Sequence, residues 1–394
     1  MRDCTYLDNN ATTKIDDEVV AQMLPYLTKY YGNPSSKHQF GGQVAKAVRI
    51  ARERVAALLG AKNSSEIVFT SCGTEGNNAA ITSALLANPA KKQIVTTSVE
   101  HPAVLKVCQS LERRGYQVTY LSVNDRGQLN LDEVEKAITD ETALVSVMYA
   151  NNETGVIFPI SAIGEIAKSK DAIFHVDAVQ AVGKIPLNMQ DSSIDLLSLS
   201  GHKIHAPKGI GALYVRRGFK FSPLIIGGSQ ERGRRGGTEN VPGIVALGKA
   251  AELAEQNLCN IRQERTLRDR LESKILSTIP NTAVNGDTNS RLPNTTNIGF
   301  KQVESEAILL YLERQGIYAS SGSACTSGNL EPSHVLKAMK VSDSIIQGSI
   351  RFSLSKYNTV AEIDRVCLVL PNIIENLRNL SSLDIEESVT GTIK

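Results

Sequence analysis

The sequence predicts an α/β fold: a large domain with a mostly parallel mixed sheet flanked by helices, plus a smaller α+β domain. Three observations carry this. Between about residues 65 and 214, short apolar runs alternate with helical stretches. Two of those runs end on a chemically useful side chain, Asp177 and Lys203. A long helical stretch after Pro242 then separates this region from a second group of strands and helices. Alternation of this kind builds a sheet whose crossover helices cover both faces.

In chain order, the apolar runs at 67–70, 94–98, 118–123, 144–148, 173–176, 196–199 and 211–215 read as strands. Helical spacing falls between them at 76–87, 103–113, 131–138 and 160–168. Only a short connection, ending in Lys208-Gly-Ile-Gly211, precedes the last strand, which favours an antiparallel return. The helical stretch after Pro242 runs to about Ile279. Strands at 295–300 and 350–354 and helices near 304–315, 333–340 and 360–377 follow, and the polar tail 384–394 is expected to fray.

A chain of 394 residues is long enough to bury a substantial core in one large or two ordinary domains. Its formal net charge of +2 gives no strong field, so nucleic acid and membrane are not expected as partners. The amino terminus lacks an apolar leader, and no window approaches the roughly 18 apolar residues of a membrane span. A soluble cytoplasmic protein is expected. The six cysteines include no Cys-x-x-Cys pair, which argues against a disulfide framework or a self-contained zinc site.

The most informative segment is Ser320-Ser-Gly-Ser-Ala-Cys-Thr-Ser-Gly328. It sets one thiol, Cys325, in a run of small polar and glycine residues that cannot pack as a helix or strand. Such a loop suits a nucleophile, because a reactive thiolate needs partial exposure and a depressed pKa. A buried cysteine beside a turn is the alternative.

The run Ile194-Asp-Leu-Leu-Ser-Leu-Ser-Gly-His-Lys203 delivers Lys203 to the carboxyl end of a strand, where open parallel sheets bind ligands. A lysine there is a candidate for Schiff-base chemistry, with a solvated strand-end lysine as the alternative. Asp177 ends the preceding strand in the same way, with Gln180 three residues on. A carboxylate so placed can keep a pyridine nitrogen protonated, as pyridoxal phosphate requires to act as an electron sink. In Ile67-Val-Phe-Thr-Ser-Cys-Gly-Thr-Glu-Gly76 a strand enters a glycine turn and a helix, which brings backbone N–H groups and the Thr74 hydroxyl together as a phosphate cradle or as an ordinary helix cap.

His101 precedes Pro102, which can occupy the first turn of a helix, so its imidazole is fixed beyond a strand end. Asn152 follows another strand, where a simple turn is the alternative role. Arg351 alternates with Ser353 on one strand face and has the bidentate geometry that binds a carboxylate, unless it is a surface charge.

With these residues in view, the chain resembles the group I cysteine desulfurases of the pyridoxal phosphate-dependent class V aminotransferase fold, fold type I. The resemblance runs almost end to end: Tyr6-Leu-Asp-Asn-Asn-Ala-Thr-Thr13, Ser71-Cys-Gly-Thr-Glu75, Glu100-His-Pro102, Asn151-Asn-Glu-Thr-Gly155, Ser200-Gly-His-Lys203, the Cys325 loop and Arg351-Phe-Ser-Leu-Ser355. Any one string is weak, whereas the set in order and at this spacing is highly specific.

The resemblance implies pyridoxal 5′-phosphate as cofactor and L-cysteine as substrate, with L-alanine and a Cys325 persulfide as products. Lys203 is then the cofactor-binding lysine, preferred over Lys208, and Asp177 the partner of the pyridine nitrogen. Gly73, Thr74, Ser200 and His202 hold the phosphate, whereas Gly76 stands where relatives commonly carry serine and takes no direct role. His101 stacks on the ring and shuttles a proton. Asn152 and Gln180 reach the phenolic oxygen, Asn152 also serving the substrate, and Arg351 binds the substrate carboxylate.

The glycine-rich basic segment Glu231-Arg-Gly-Arg-Arg-Gly-Gly-Thr-Glu239 is implied to sit at a homodimer interface, with Thr238 reaching the phosphate of the partner site. The implied division is a large cofactor-binding domain at 15–258, and a small domain of 1–14 and 259–394 carrying a mobile cysteine loop at about 320–330. An iron–sulfur scaffold protein is the implied sulfur acceptor, and Cys325 is also a candidate transient iron–sulfur ligand shared with it. Several strings, among them Asn151-Asn-Glu-Thr-Gly155-Val-Ile-Phe-Pro159, are closest to the nitrogenase-associated branch. The alternatives are a housekeeping desulfurase of the same group, a selenocysteine lyase-like enzyme or simple aminotransferase that would not need Cys325, and a non-enzymatic thiol or iron–sulfur carrier that would need no cofactor.

Overall fold

The computed structural model describes residues 4–321 and 332–390, with side chains as far as residue 380. In chain order its elements are β1 (Thr5–Tyr6), α1 (Asp17–Thr28), α2 (Gln39–Leu58), β2 (Ile67–Thr70), α3 (Gly73–Ala87), β3 (Gln93–Thr97), α4 (Pro102–Glu112), β4 (Gln117–Leu121), α5 (Leu131–Ala137), β5 (Thr142–Met148) and α6 (Ile160–Ser169). They continue with β6 (Ile173–Asp177), β7 (Leu196–Ser200), β8 (Gly211–Val215), α7 (Val241–Asn257), α8 (Ile261–Thr278), β9 (Thr282–Val284), β10 (Thr295–Phe300), α9 (Ser305–Arg314), β11 (Ile317–Tyr318), α10 (His334–Ala338), α11 (Asp343–Ile346), β12 (Ser349–Ser353) and α12 (Val360–Thr390).

A seven-stranded sheet runs in the order β2-β8-β7-β6-β5-β3-β4. Strands β3 to β7 are parallel, and β8 runs against both β7 and β2. This is the α/β mixed sheet that the sequence predicts, including the antiparallel return at β8. Because β8 opposes both neighbours, β2 points the same way as β3 to β7. The carboxyl ends of β2, β3, β5, β6 and β7 therefore open on one edge, where ligands of such sheets bind. The central strands are buried along their whole length, as the near-continuous apolar runs of β5 and β7 require in a sheet covered on both faces.

Helices α2 and α7 pack together on the sheet at a close approach. A Cβ added at Gly248 would lie 2.5 Å from Ala51 Cβ, so glycine is what lets these helices touch. A second antiparallel sheet, β12-β10-β9, packs with α8, α9 and α12 around Leu271, Ile298, Phe300, Phe352 and Leu370. The amino-terminal segment joins it: β1 pairs with β11, and Ser353 N donates to Leu7 O at 2.8 Å.

The stretch after Pro242 is helical to Thr278, as two α-helices joined by a 3-10 turn at Leu258–Asn260. Two expectations are corrected. Helix α3 begins at Gly73, ahead of residue 76. Helix α12 continues to Thr390, so 384–390 are helical in place of a frayed tail. Among the described residues no helix is long and apolar enough to cross a membrane.

Candidate active site

At the shared strand edge lies a cavity of about 470 Å³, lined by Gly73, Thr74, His101, Asn152, Asp177, Gln180, Ser200, His202, Lys203 and Arg351 together with Asp8, Asn10, Cys72 and Asn77. Residues from widely separated sequence strings thus meet in one space. Most arrive because a strand or the turn after it ends there.

Strand β2 turns at Ser71-Cys72 into α3, and no side chain caps the helix start, so the first N–H groups are left for a ligand. The approach is tight, since a Cβ on Gly73 would stand 2.7 Å from Val179 Cγ2 and 3.5 Å from Ser200 Cβ. Only a glycine leaves this cradle open beside Ser200 and His202, as a phosphate requires. Burial and the neighbouring Lys203 push the His202 imidazole down to about 4, and its Nδ1 lies 3.2 Å from Thr12 Oγ1.

Asp177, the last residue of β6, accepts from Asn77 Nδ2 at 2.7 Å and from Val179 N at 3.0 Å. These two donors fix the carboxylate at the cavity wall. Lys203 follows β7 through one tight turn, and its Nζ donates to Asn10 O at 2.6 Å and Ala11 O at 2.7 Å. Burial, and then the Arg351 guanidinium, push its ammonium down to about 8. Lys208, the rival lysine, is exposed and stands outside the cavity lining.

His101 is the N-cap of α4, with Pro102 in the first turn, and its Nδ1 accepts from Ala103 N at 3.1 Å. A neutral ring held this way carries its proton on Nε2. Burial lowers its pKa, so the neutral form is favoured. Asn151 and Asn152 divide their roles. Asn151 Oδ1 accepts from Glu153 N and Thr154 N in a buried turn, whereas Asn152 reaches the cavity.

Two buried polar atoms on the cavity-lining residues have no protein partner, Asn77 Oδ1 and Arg351 Nε. With the glycine cradle, the fixed carboxylate and the strand-end lysine, these unspent groups fit pyridoxal phosphate. Among the described residues no three His, Cys, Asp or Glu side chains gather to hold a metal.

Thr238 is exposed on the loop after β8 and does not line this cavity. Cys325 lies outside the described residues. Of the other cysteines, Cys72 is half-buried at the cavity and Cys4 is exposed. The sequence reading assigns no individual role to Asp8, Asn10 or Asn77. For Asn77 a signal existed, a polar side chain one turn beyond Gly73 and buried on the helix face that packs on the sheet, though Glu75 and Asn78 beside it blur that signal. Asp8 and Asn10 come from the far end of the chain, and nothing local announces that they return to this edge.

The aminotransferase class-V family model matches residues 5–366. A cysteine desulfurase of Trichormus azollae is 68% identical over 384 residues, covering 97% of this chain and 96% of its own. The cysteine desulfurase NifS of Azotobacter vinelandii is 55% identical over 377 residues, 95% of this chain and 94% of its own. Among solved structures, a NifS-like protein superimposes with a TM-score of 0.87 at 39% identity, covering 97% of this chain and 100% of that one.

Proposed function

Given that this chain belongs to the aminotransferase class-V family and is a pyridoxal 5′-phosphate-dependent cysteine desulfurase, we propose that it supplies sulfur, as a persulfide on Cys325, for iron–sulfur cluster assembly in nitrogenase maturation. The observation that carries the site reading is the single cavity lined at once by Lys203, Asp177, His101, Arg351 and the open start of α3. The 55% identity to a desulfurase named NifS supports the nitrogenase assignment.

Pyridoxal phosphate, when bound, supplies the electron sink that lets the Cα–H bond of L-cysteine break and weakens its Cβ–S bond. Gly73, Thr74, Ser200 and His202 hold its phosphate, Asp177 its ring nitrogen, Gln180 and Asn152 its phenolic oxygen, and His101 its ring face. Arg351 binds the substrate α-carboxylate, with Asn152 beside it. Lys203, whose ammonium is pushed down to about 8, removes the Cα proton through Nζ and returns a proton to Cα once the sulfur has left. His101 moves the proton of the substrate thiol.

The Cys325 thiolate attacks the substrate sulfur. A sulfur–sulfur bond forms as the Cβ–S bond breaks, and that bond's electron pair with a proton completes the methyl group of L-alanine. The persulfide passes by thiol exchange to a cysteine of a scaffold protein, with which Cys325 transiently shares a cluster iron. The active unit is a cytoplasmic homodimer in which Thr238 of the partner subunit completes the phosphate site. Residues 15–258 form the cofactor-binding domain, and 1–14 with 259–394 the small domain that carries the cysteine loop.

The test is release of L-alanine and sulfide from L-cysteine with a reductant, comparing wild type with Cys325→Ala while recording the visible spectrum. Equimolar products from the wild type and a coloured but inactive variant are expected. Unchanged turnover in the variant would remove Cys325 as the sulfur acceptor.

A further inference from the structure

Lys184 lies four residues beyond Gln180, in the turns after β6, and is 8% exposed. Its Nζ donates to Gln180 Oε1 at 2.7 Å and to Asn10 Oδ1 at 3.2 Å. It lines, with Lys203 and Glu264 of α8, a small cavity of about 40 Å³; Glu264 attracts its charge from a distance, while the hydrogen-bond partners of its Nζ are two amide oxygens. Burial pushes this ammonium down to about 7, so it is a cation at and below neutral pH at a cost in desolvation, and its use has to be sought in the groups it holds.

An ammonium has donors and no acceptor. The two atoms facing it must therefore be amide oxygens, which fixes the orientation of two side chains whose oxygen and nitrogen ends are otherwise nearly interchangeable in shape. The NH₂ groups are turned the other way. Gln180 Nε2 donates to Asn10 O at 2.9 Å, and Asn10 Nδ2 donates to Asn152 O at 3.1 Å and Thr295 Oγ1 at 2.9 Å. Asn10 O is also an acceptor for Lys203 Nζ, so the same cluster bears on the cofactor lysine.

We propose that Lys184 is a positioning residue of the cofactor site, locking the Gln180 amide so that it turns N–H donors, and not its carbonyl, toward the cavity. The proposal rests on the reading of Gln180 as a ligand of the phenolic oxygen. A donor held there stabilises an anionic oxygen, whereas a flipped amide would set a carbonyl against it. Asn10 comes from the amino-terminal segment, Gln180 and Lys184 from the turns after β6, and Lys203 from the turn after β7, so the lock also ties those segments together.

The test is a double-mutant cycle on the dissociation constant of pyridoxal phosphate, measured by titrating the apoproteins of wild type, Lys184→Met, Gln180→Ala and the double variant. A hydrogen bond to a charged acceptor is worth about tenfold in affinity or somewhat more. Each single variant is expected to bind roughly tenfold more weakly, and the double variant no more weakly than Gln180→Ala alone. Lys184→Arg, which also has donors only and has the small cavity to expand into, is expected to bind within about threefold of wild type.

A merely structural lysine would weaken binding by the same factor whether or not Gln180 is present, and that additive result overturns the proposal. If Gln180→Ala binds as wild type does, the assignment of Gln180 fails instead, which separates the two failures. Circular dichroism of each apoprotein checks folding. Should Lys184→Met not fold, Lys184→Gln takes its place in the cycle, and an additive result there counts against the proposal equally.

Discussion

Arg351 Nη2 donates to Asp8 Oδ1 at 2.6 Å while Nη1 donates to Asn152 O at 3.1 Å, so both terminal nitrogens of the guanidinium are held by the protein itself. A bidentate carboxylate needs two parallel N–H groups, and Asp8 already occupies one of them. The amino-terminal segment thus sets a carboxylate of its own where the substrate's is proposed to bind.

Asp8→Asn should therefore lower the KM for L-cysteine, by roughly three- to tenfold, since an amide oxygen competes for the guanidinium less strongly than a carboxylate. The kcat should move much less. Steady-state kinetics decide it: a raised KM would mean that Asp8 helps to hold the substrate.

Lys203→Ala should abolish the protein's visible cofactor absorption and its turnover, while Lys208→Ala should leave the colour in place. Lys203 reaches the cavity beside Asp177, whereas Lys208 is exposed and outside it. Absorbance of the purified variants checks this, and loss of colour only on changing Lys208 would reverse the assignment.

Glu231 anchors the loop that carries Thr238. Its carboxylate takes two hydrogen bonds of 2.6 Å from Arg52 and one from Phe69 N, nearly all of it buried. Glu231 and Arg232 also adopt φ of +48° and +61°, left-handed backbone that non-glycine residues rarely take. Glu231→Ala leaves the Arg52 guanidinium buried without its partner and should cost about 3–5 kcal/mol. Urea unfolding measures the loss, and sedimentation of the variant reports whether the loop supports a dimer.

The large sheet was legible because each strand is a short apolar run bounded by turn residues, and its crossover helices fall at regular spacing. The helices α1 and α2 were not read. Leu24 and Leu27 of α1 are exposed and leave it without a clean apolar stripe, whereas α2 does carry one, Val44, Val48, Ala51, Val55 and Leu58, interspersed with charged residues. In the site, residues at strand ends such as Asp177 and Lys203 could be found from sequence, because sheet geometry dictates where a strand end lies. Asp8, Asn10 and Lys184 could not, because their roles depend on which distant segments meet, and periodicity carries no such information.

Glu100, just before His101, gives the protein a pH dependence that one substitution should remove. Its Oε1 accepts from Thr97 Oγ1 at 2.8 Å and Met148 N at 2.9 Å, while its buried Oε2 has no partner. Burial pushes the carboxyl from its ordinary 4.5 up to about 8. Between those values the native state holds a proton that the unfolded chain has released, so this group makes stability fall as pH rises. The slope is about 1.4 kcal/mol per pH unit. Glu100→Gln keeps the shape of the protonated acid and does not titrate, so its stability relative to wild type should climb by that slope from about pH 5 to about pH 7. Urea titrations of both apoproteins at several pH values test it. A difference that stays flat with pH would mean that the carboxyl is ionised in the folded protein over that range, in spite of its burial.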